Sequence, residues 1–392
     1  MTNVEVDRSA QSPDAESLDG VLVLGDLLSR GLSVEVLPRQ VLIARDDQEN
    51  SFSFVHGLPG DSGLAPVTYA QDKRMRRAMM EREGICVPKG ATFSVGRGRK
   101  LAKKFANRIG YPVTIKPAVG DNAIEANLDI MNDDEFDEAL DKLMVPPEDR
   151  PGFTRASYGL TELREPGVVD GIITVPPGYE FIVEKQPPGQ YVRFFVLDGE
   201  MKNAVLCTGS PSDNSLSSVE DITLLIGQAL QRKVEDAGSL ISGLRAITLD
   251  AMVTDLGSEV ADAEFVELSE RPGFWVHREA DEALARHLSH EMVSAYLGST
   301  ASPVRGPDQV SYDFDAHAVP DVELAHRMIT EIAPDFNIAY VPASSDHVSG
   351  TLSGTLMGDP YQVADFVDAL LDGRIGSVPV MLCVLTPAEA ES

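Results

Sequence analysis

The sequence predicts an α+β protein with more than one core. The chain has 392 residues, more than a single hydrophobic core ordinarily spans. From residue 20 onward its apolar spacing switches irregularly between the helical and the extended period, so helices and strands are mixed and some strands pair as hairpins. From Gln309 to the end the elements run β-α-β-β-α-β, the split βαβ order.

Residues 1–19 are polar and acidic, lack the cationic and apolar regions of a secretory signal, and read as a disordered tail. A small leading α/β region follows over 20–70. It opens with an amphipathic helix at 20–30 and an extended stretch at 32–44, where Val34, Val36 and Leu37 and then Val41, Leu42 and Ile43 form apolar runs. Over 72–83, Met75, Ala78 and Met79 fall at helical spacing, Gly84 stops the helix, and 85–88 turns extended. From Arg99, Leu101, Phe105 and Ile109 share one helical face, Gly110 ends it, and a strand at 112–116 leaves Lys116 at its end.

A strand at 126–130 precedes a helix capped by Asn132 or Asp133, with Phe136, Leu140 and Leu143 as its buried stripe. The stretch 145–178 is rich in proline, glycine and charge and reads as a long loop. Strands follow at 181–184 and 191–197, the second turning through Asp198 and Gly199 into 202–206 as a hairpin. A helix is expected over 219–237. Strands at 246–253 and 264–269 alternate between two faces, so Asp250 and Glu267 are able to share one. After a linker at 300–308, the terminal module reads as strand 310–314, helix 322–332, strands 338–341 and 348–357, helix 360–371 and strand 378–385. Asp359, Pro360 and Gln362 make a capped start for its second helix.

The formal net charge of −29 disfavours nucleic acid and anionic membrane as partners. No stretch approaches the roughly 20 apolar residues of a membrane span. The three cysteines, Cys86, Cys207 and Cys383, are far apart in apolar contexts, which suits neither a disulfide framework nor a zinc site, and the expected compartment is the cytoplasm. An anionic ligand must therefore be held by a local cluster of cations. Lys73 opens a helix and Lys116 ends a strand beside the loop 118–123. Asp250 and Glu267 are the oxygen donors that magnesium takes beside phosphate. His287 and His290 lie three apart on a helix over 281–297, a chelating spacing, although a solvated face is the favoured reading.

The order of several pieces resembles the ATP-grasp superfamily, and within it the carboxylate-amine ligases related to D-alanine-D-alanine ligase and cyanophycin synthetase. The resemblance runs from about Val67 to Gly298. Its pieces are Asp72-Lys73 before a helix, Gly84-Ile-Cys-Val-Pro88, Ile109-Gly-Tyr-Pro-Val-Thr-Ile-Lys-Pro117, Val183-Glu-Lys-Gln-Pro-Pro-Gly189 with Tyr191 and Arg193, Leu249-Asp250, and Val266-Glu-Leu-Ser-Glu-Arg-Pro-Gly273. It implies an ATP-grasp domain over 71–299, with a lid at about 107–190; separately, the element order over 309–388 resembles the ferredoxin-like folds of acylphosphatase and small regulatory domains.

The resemblance further implies ATP and Mg2+ as cofactors. Lys73 and Lys116 would contact the phosphates, Glu184 and the backbone around Lys185 the adenine, and Asp250, Glu267 and Ser269 the magnesium. Arg193 would stabilise the transferring phosphoryl group, and Arg271 and His277 would approach the substrate carboxylate. The reaction implied joins a carboxylate to an amine through an acyl phosphate, with a small amino acid or short peptide as substrate and a homodimer as the commonest assembly. Three positions depart from the family. The phosphate loop Gly120-Asp-Asn-Ala-Ile-Glu-Ala126 keeps its first glycine alone, Tyr191 stands where a ribose-binding Glu is common, and Ser269 stands for an Asn. These departures leave a second reading open, a nucleotide-binding regulatory pseudo-ligase.

Overall fold

The computed structural model describes residues 17–119, 126–146, 167–175, 178–209, 216–257, 262–298, 309–375 and 378–388. The chain forms two compact units, Met1–Asp61 with Arg271–Ser392, and Ser62–Glu270.

The first unit begins with α1 (Leu18–Ser29) and a meander of β1 (Ser33–Leu37), β2 (Val41–Arg45), β3 (Ser51–Val55) and the short β4 (Leu58–Pro59). The second unit follows. Helices α2 (Leu64–Gln71) and α3 (Lys73–Arg82) lead into β5 (Gly90–Ser94), α4 (Arg99–Ile109), β6 (Val113–Pro117), β7 (Asn127–Ile130) and α5 (Asp133–Met144). The hairpin β8 (Gly167–Val169) and β9 (Ile172–Thr174) precedes β10 (Glu180–Lys185), β11 (Gln190–Leu197), β12 (Glu200–Thr208), β13 (Ser218–Asp221), α6 (Gln228–Gly238), β14 (Ala246–Val253) and β15 (Ala263–Ser269). The chain then returns to the first unit through α7 (Phe274–Ala280), α8 (Glu282–Leu297), β16 (Val310–His317), α9 (Val322–Ile332), β17 (Ala339–Asp346), β18 (Thr351–Gly358), α10 (Pro360–Leu371) and β19 (Leu382–Pro387).

In the second unit two antiparallel sheets carry the architecture, ordered β5-β10-β6-β7 and β13-β12-β11-β14-β15. Phe181, Val183, Val113 and Ile115 turn one face of the first sheet onto Ala102, Ala106, Phe136 and Leu140 of its helices. In the second sheet Val192, Phe194, Leu249, Ala251 and Leu268 pack on Leu230 and Val234 of α6. Strict alternation then sends Tyr191, Arg193 and Asp250 to the opposite face. The β11–β12 hairpin turns at Asp198 and Gly199, both left-handed with φ 50 and 82, as the two-residue turn expected there demands.

Three expectations need correction in this unit. The helix expected over 219–237 is a strand, a 3-10 turn at Thr223–Leu225 and then α6. The Asp221 carboxylate accepts from the Thr223 N–H at 3.0 Å and its hydroxyl at 2.6 Å, a local turn that competes with helix. Part of the long loop 145–178 is the hairpin β8–β9, turned at Asp170 and Gly171, and residues 147–166 lie outside those described. Helix α2 was not foreseen. The phosphate loop at 120–125 falls outside the described residues.

In the first unit the strand order β17-β18-β16-β19 is antiparallel throughout, with α9 and α10 as the crossovers of a β-α-β-β-α-β chain. The sheet does not stop there. β19 pairs with β1, Val36 opposite Cys383, and continues through β2 and β3 to β4, so the leading region and the terminal module share eight strands. Helix α1 is buried along its whole length up to Leu28 and packs against α8 and α10, so it is a core helix rather than an amphipathic one. Its start lies inside the expected tail, where Asp19 accepts from the N–H groups of Gly273 and Phe274 at 2.9 and 2.8 Å, while 1–16 lie outside the described residues. Within the described residues no helix is long and apolar enough to cross a membrane.

Candidate functional site

Helix α3 is the cation source of the second unit. The Asp72 carboxylate caps it, accepting from the N–H groups of Arg74 and Met75 at 2.9 and 3.4 Å, so the helix starts at Lys73. Lys73 is buried, and its N–H donates to the Ala118 carbonyl at 2.9 Å, which ties the helix start to the end of β6. One turn on, Arg76 pairs with Glu267 and donates to the Ala70 carbonyl at 3.1 Å, while Arg77 pairs with Glu184 at 2.8 Å. Arg76 and Arg77 escaped the sequence reading. The signal was present as a run of cations directly after a helix cap.

Lys116 and Glu184 lie on neighbouring strands, one opposite Ile182 and the other opposite Thr114, so they sit diagonally on one face. Lys116 Nζ stands 2.7 Å from the Glu184 carboxylate and donates to the Val266 carbonyl at 2.8 Å. Burial lowers the Lys116 pKa, against the pull of Glu184. Gly90, opposite Glu184, leaves the space this cluster needs, since a Cβ there would stand 2.6 Å from Glu184 Cγ and 2.9 Å from Arg77 Nη1. The Lys185 ammonium turns elsewhere and closes the end of α4, donating to the carbonyls of Gly110 and Tyr111 at 2.9 and 2.8 Å.

On the second sheet, Arg193 faces Asp250 across β11–β14 and grips it with two contacts, Nε at 2.7 Å and Nη2 at 2.8 Å. Tyr191 adds a hydroxyl donor at 2.5 Å. Burial and the Asp250 charge push the Tyr191 pKa well above its usual value. The Arg193 pKa is raised, because the Asp250 charge and hydrogen bonds outweigh the loss of solvent. Asp250 is in turn directly opposite Glu267, and Ser269 opposite Thr248.

Of these groups Lys116, Glu184, Tyr191 and Glu267 line one pocket, together with Thr114 and Gln186. Lys185 lines it as well, while Lys73, Arg193, Asp250 and Ser269 do not. Arg271 and His277 belong to the first unit, where His277 is fully buried in α7 with its ring 6.4 Å from Phe274. His287 is exposed, and His290, its side chain 42% exposed, bonds the buried Asp26 at 2.7 Å.

A polyphosphate suits the cations, and the paired carboxylates of Asp250 and Glu267 with the Ser269 hydroxyl are an oxygen-only set of the kind magnesium takes. Each carboxylate carries an arginine partner that a metal would have to displace or share. Among the described residues no three His, Cys, Asp or Glu side chains cluster as a metal site.

No protein-family model matches the chain, and no curated protein matches it by sequence. Solved structures do match. A bifunctional glutathione synthetase from Pasteurella multocida aligns at 13% identity and a TM-score of 0.44 over 72% of this chain and 43% of its own. The ATP-grasp ligase PsnB, complexed with precursor peptide PsnA2 and AMPPNP, aligns at 14% and 0.39 over 60% of this chain and 61% of its own. D-alanine--D-alanine ligase from Bacillus anthracis, complexed with ATP, aligns at 17% and 0.39 over 59% of this chain and 68% of its own. The chain thus spans less than two thirds of the first two proteins it matches.

Proposed function

We propose that this chain is an ATP-dependent ligase that joins a carboxylate to an amine through an acyl phosphate, acting in the cytoplasm on an amino acid or short peptide. The observation that carries the reading is the convergence of Lys116, Glu184 and Glu267 on one pocket, backed by the Arg193–Asp250 pair, in a chain whose net charge is −29. Such an anionic protein gathers buried cations against its own field where an anion is to be held.

In this reading Lys116, and Lys73 at the start of α3, neutralise ATP phosphates, while Glu184 and the Lys185 backbone face the base. Asp250, Glu267 and Ser269 would hold magnesium, which when bound neutralises charge between phosphate oxygens. Arg193 and Arg76, which hold those carboxylates, would stabilise the transferring phosphoryl. Arg193 Nη1 is buried with no hydrogen-bond partner among the described residues, which supports an anion-directed role. Positioning and charge neutralisation supply most of the rate in phosphoryl transfer, and both are what rigid, buried ion pairs provide.

The test is ADP release from the purified protein with magnesium-ATP and pooled amino acids and dipeptides, beside Lys116→Ala and Glu267→Ala. Release that depends on an added amino compound and disappears in both variants supports the ligase. Nucleotide binding without release in any pool supports the regulatory pseudo-ligase instead.

A further inference from the structure

The pocket wall formed by residues 184–187 has an unusual donor inventory. The Lys185 N–H is spent on the Lys89 carbonyl at 2.9 Å and the Gln186 N–H on the Pro112 carbonyl at 3.1 Å. Pro187 and Pro188 have no N–H at all. Glu184 lies inside the ladder between β5 and β6. From 185 to 188 the backbone therefore has no amide hydrogen left for a ligand and offers carbonyl oxygens alone, beside the Glu184 carboxylate. The Lys185 ammonium nearby is also committed, to the carbonyls of Gly110 and Tyr111.

An acceptor-only wall reads half of a purine edge. The adenine amino group finds oxygen partners there, but the neighbouring ring nitrogen N1 is an acceptor and needs a donor. The Gln186 side chain is the group able to supply one. Its carbonyl Oε1 accepts from the Thr114 hydroxyl, which sets the amide's orientation and leaves its two N–H groups for the pocket it lines.

We propose that Gln186, held by Thr114, is the residue that sets base specificity, donating from its side chain the hydrogen bond that the two prolines remove from the backbone. This rests on the nucleotide-binding reading above and deepens it. A base with N1 protonated, as in hypoxanthine, would present a hydrogen to the amide's hydrogens and be rejected.

The experiment is competition binding of ADP, IDP and inorganic tripolyphosphate to the full chain and to Gln186→Leu, Gln186→Glu and Thr114→Val. Wild type is expected to prefer ADP to IDP. Gln186→Leu is expected to lose about tenfold in ADP affinity, the worth of one well-placed hydrogen bond, with tripolyphosphate binding unchanged, while Gln186→Glu, which adds a negative charge to the pocket, weakens both ligands and ADP the more. Gln186→Glu, which presents an acceptor to N1–H, narrows the ADP to IDP ratio further, and Thr114→Val lies between. Unchanged tripolyphosphate binding shows that a variant is folded. Equal ADP affinity in wild type and Gln186→Leu overturns this proposal and leaves the nucleotide reading standing. Failure of the wild type to bind ADP or tripolyphosphate overturns both.

Discussion

Arg193 and Asp250 face each other across β11 and β14 and are joined by two parallel contacts of 2.7 and 2.8 Å, both residues almost wholly buried. Such a pair contributes little net stability as a pair, yet each partner is costly to remove alone, because the other is left as an uncompensated buried charge. Arg193→Ala and Asp250→Ala should each lower unfolding free energy by about 3–5 kcal/mol. The double variant Arg193→Met with Asp250→Leu should lose far less than the sum. Urea denaturation of the three decides it, and additive losses would sink the argument.

Asp72 both caps α3 and pairs with Arg74 at 2.5 Å. Replacing it by Ala should cost about 1 kcal/mol for the cap, with Asn close to neutral on that count because its carbonyl still accepts the two N–H groups. The charge is read separately. Burial raises the Asp72 pKa, but Arg74 and the helix amides more than reverse this and hold it below 3.8. Its ionic contribution is thus present above 3.8 and is lost as pH falls through the folded value, a loss that Asp72→Asn should not show. Equal acid sensitivity in both proteins would refute it.

Asp368 has the opposite sign. Burial raises its pKa from 3.8 to about 6, with Arg374 at 2.7 Å and Gln40 at 3.1 Å offsetting only part of this. Between those two values the folded state binds more protons than the unfolded state, so stability from this group falls as pH rises from 3.8 to about 6. The difference amounts to about 2–3 kcal/mol at neutral pH. Asp368→Asn, which stays neutral, should therefore gain on wild type across that range in urea titrations at several pH values. A constant difference would show that Asp368 titrates normally.

What was readable in the sequence was what short segments decide by themselves. The Asp198-Gly199 turn and the Asp359–Pro360 helix start need no distant partner, and both are present. The 219–237 stretch failed because the Ile222 N–H goes to the Ala204 carbonyl at 2.9 Å, a partner eighteen residues back that draws the chain into the sheet before any helix begins. Helix α1 was misjudged because helices from the far end of the chain cover the face that its own spacing leaves open. In the site, Lys116 and Glu184 are legible in their motifs. The roles of Arg76 and Arg77 depend on which strand each meets, and one residue of difference on the helix sends them to separate carboxylates.

The Lys116 ammonium offers a direct test of whether the pocket takes a polyanion. Burial, foremost, holds its pKa below 10.5 in the free protein, with Glu184 opposing and Arg76 assisting. A bound polyphosphate favours the charged form and raises that pKa, so the complex binds more protons than the free protein. Nucleotide binding should then be accompanied by proton uptake that grows as pH rises through the free-protein value, and affinity should decline over the same interval. Calorimetry in two buffers of different ionisation enthalpy, at about pH 7.5 and about pH 9, measures the uptake from the dependence of apparent heat on buffer. Lys116→Met should abolish the growth of uptake with pH while reducing affinity. Equal growth in the variant would assign the proton to another group and remove Lys116 from the phosphate site.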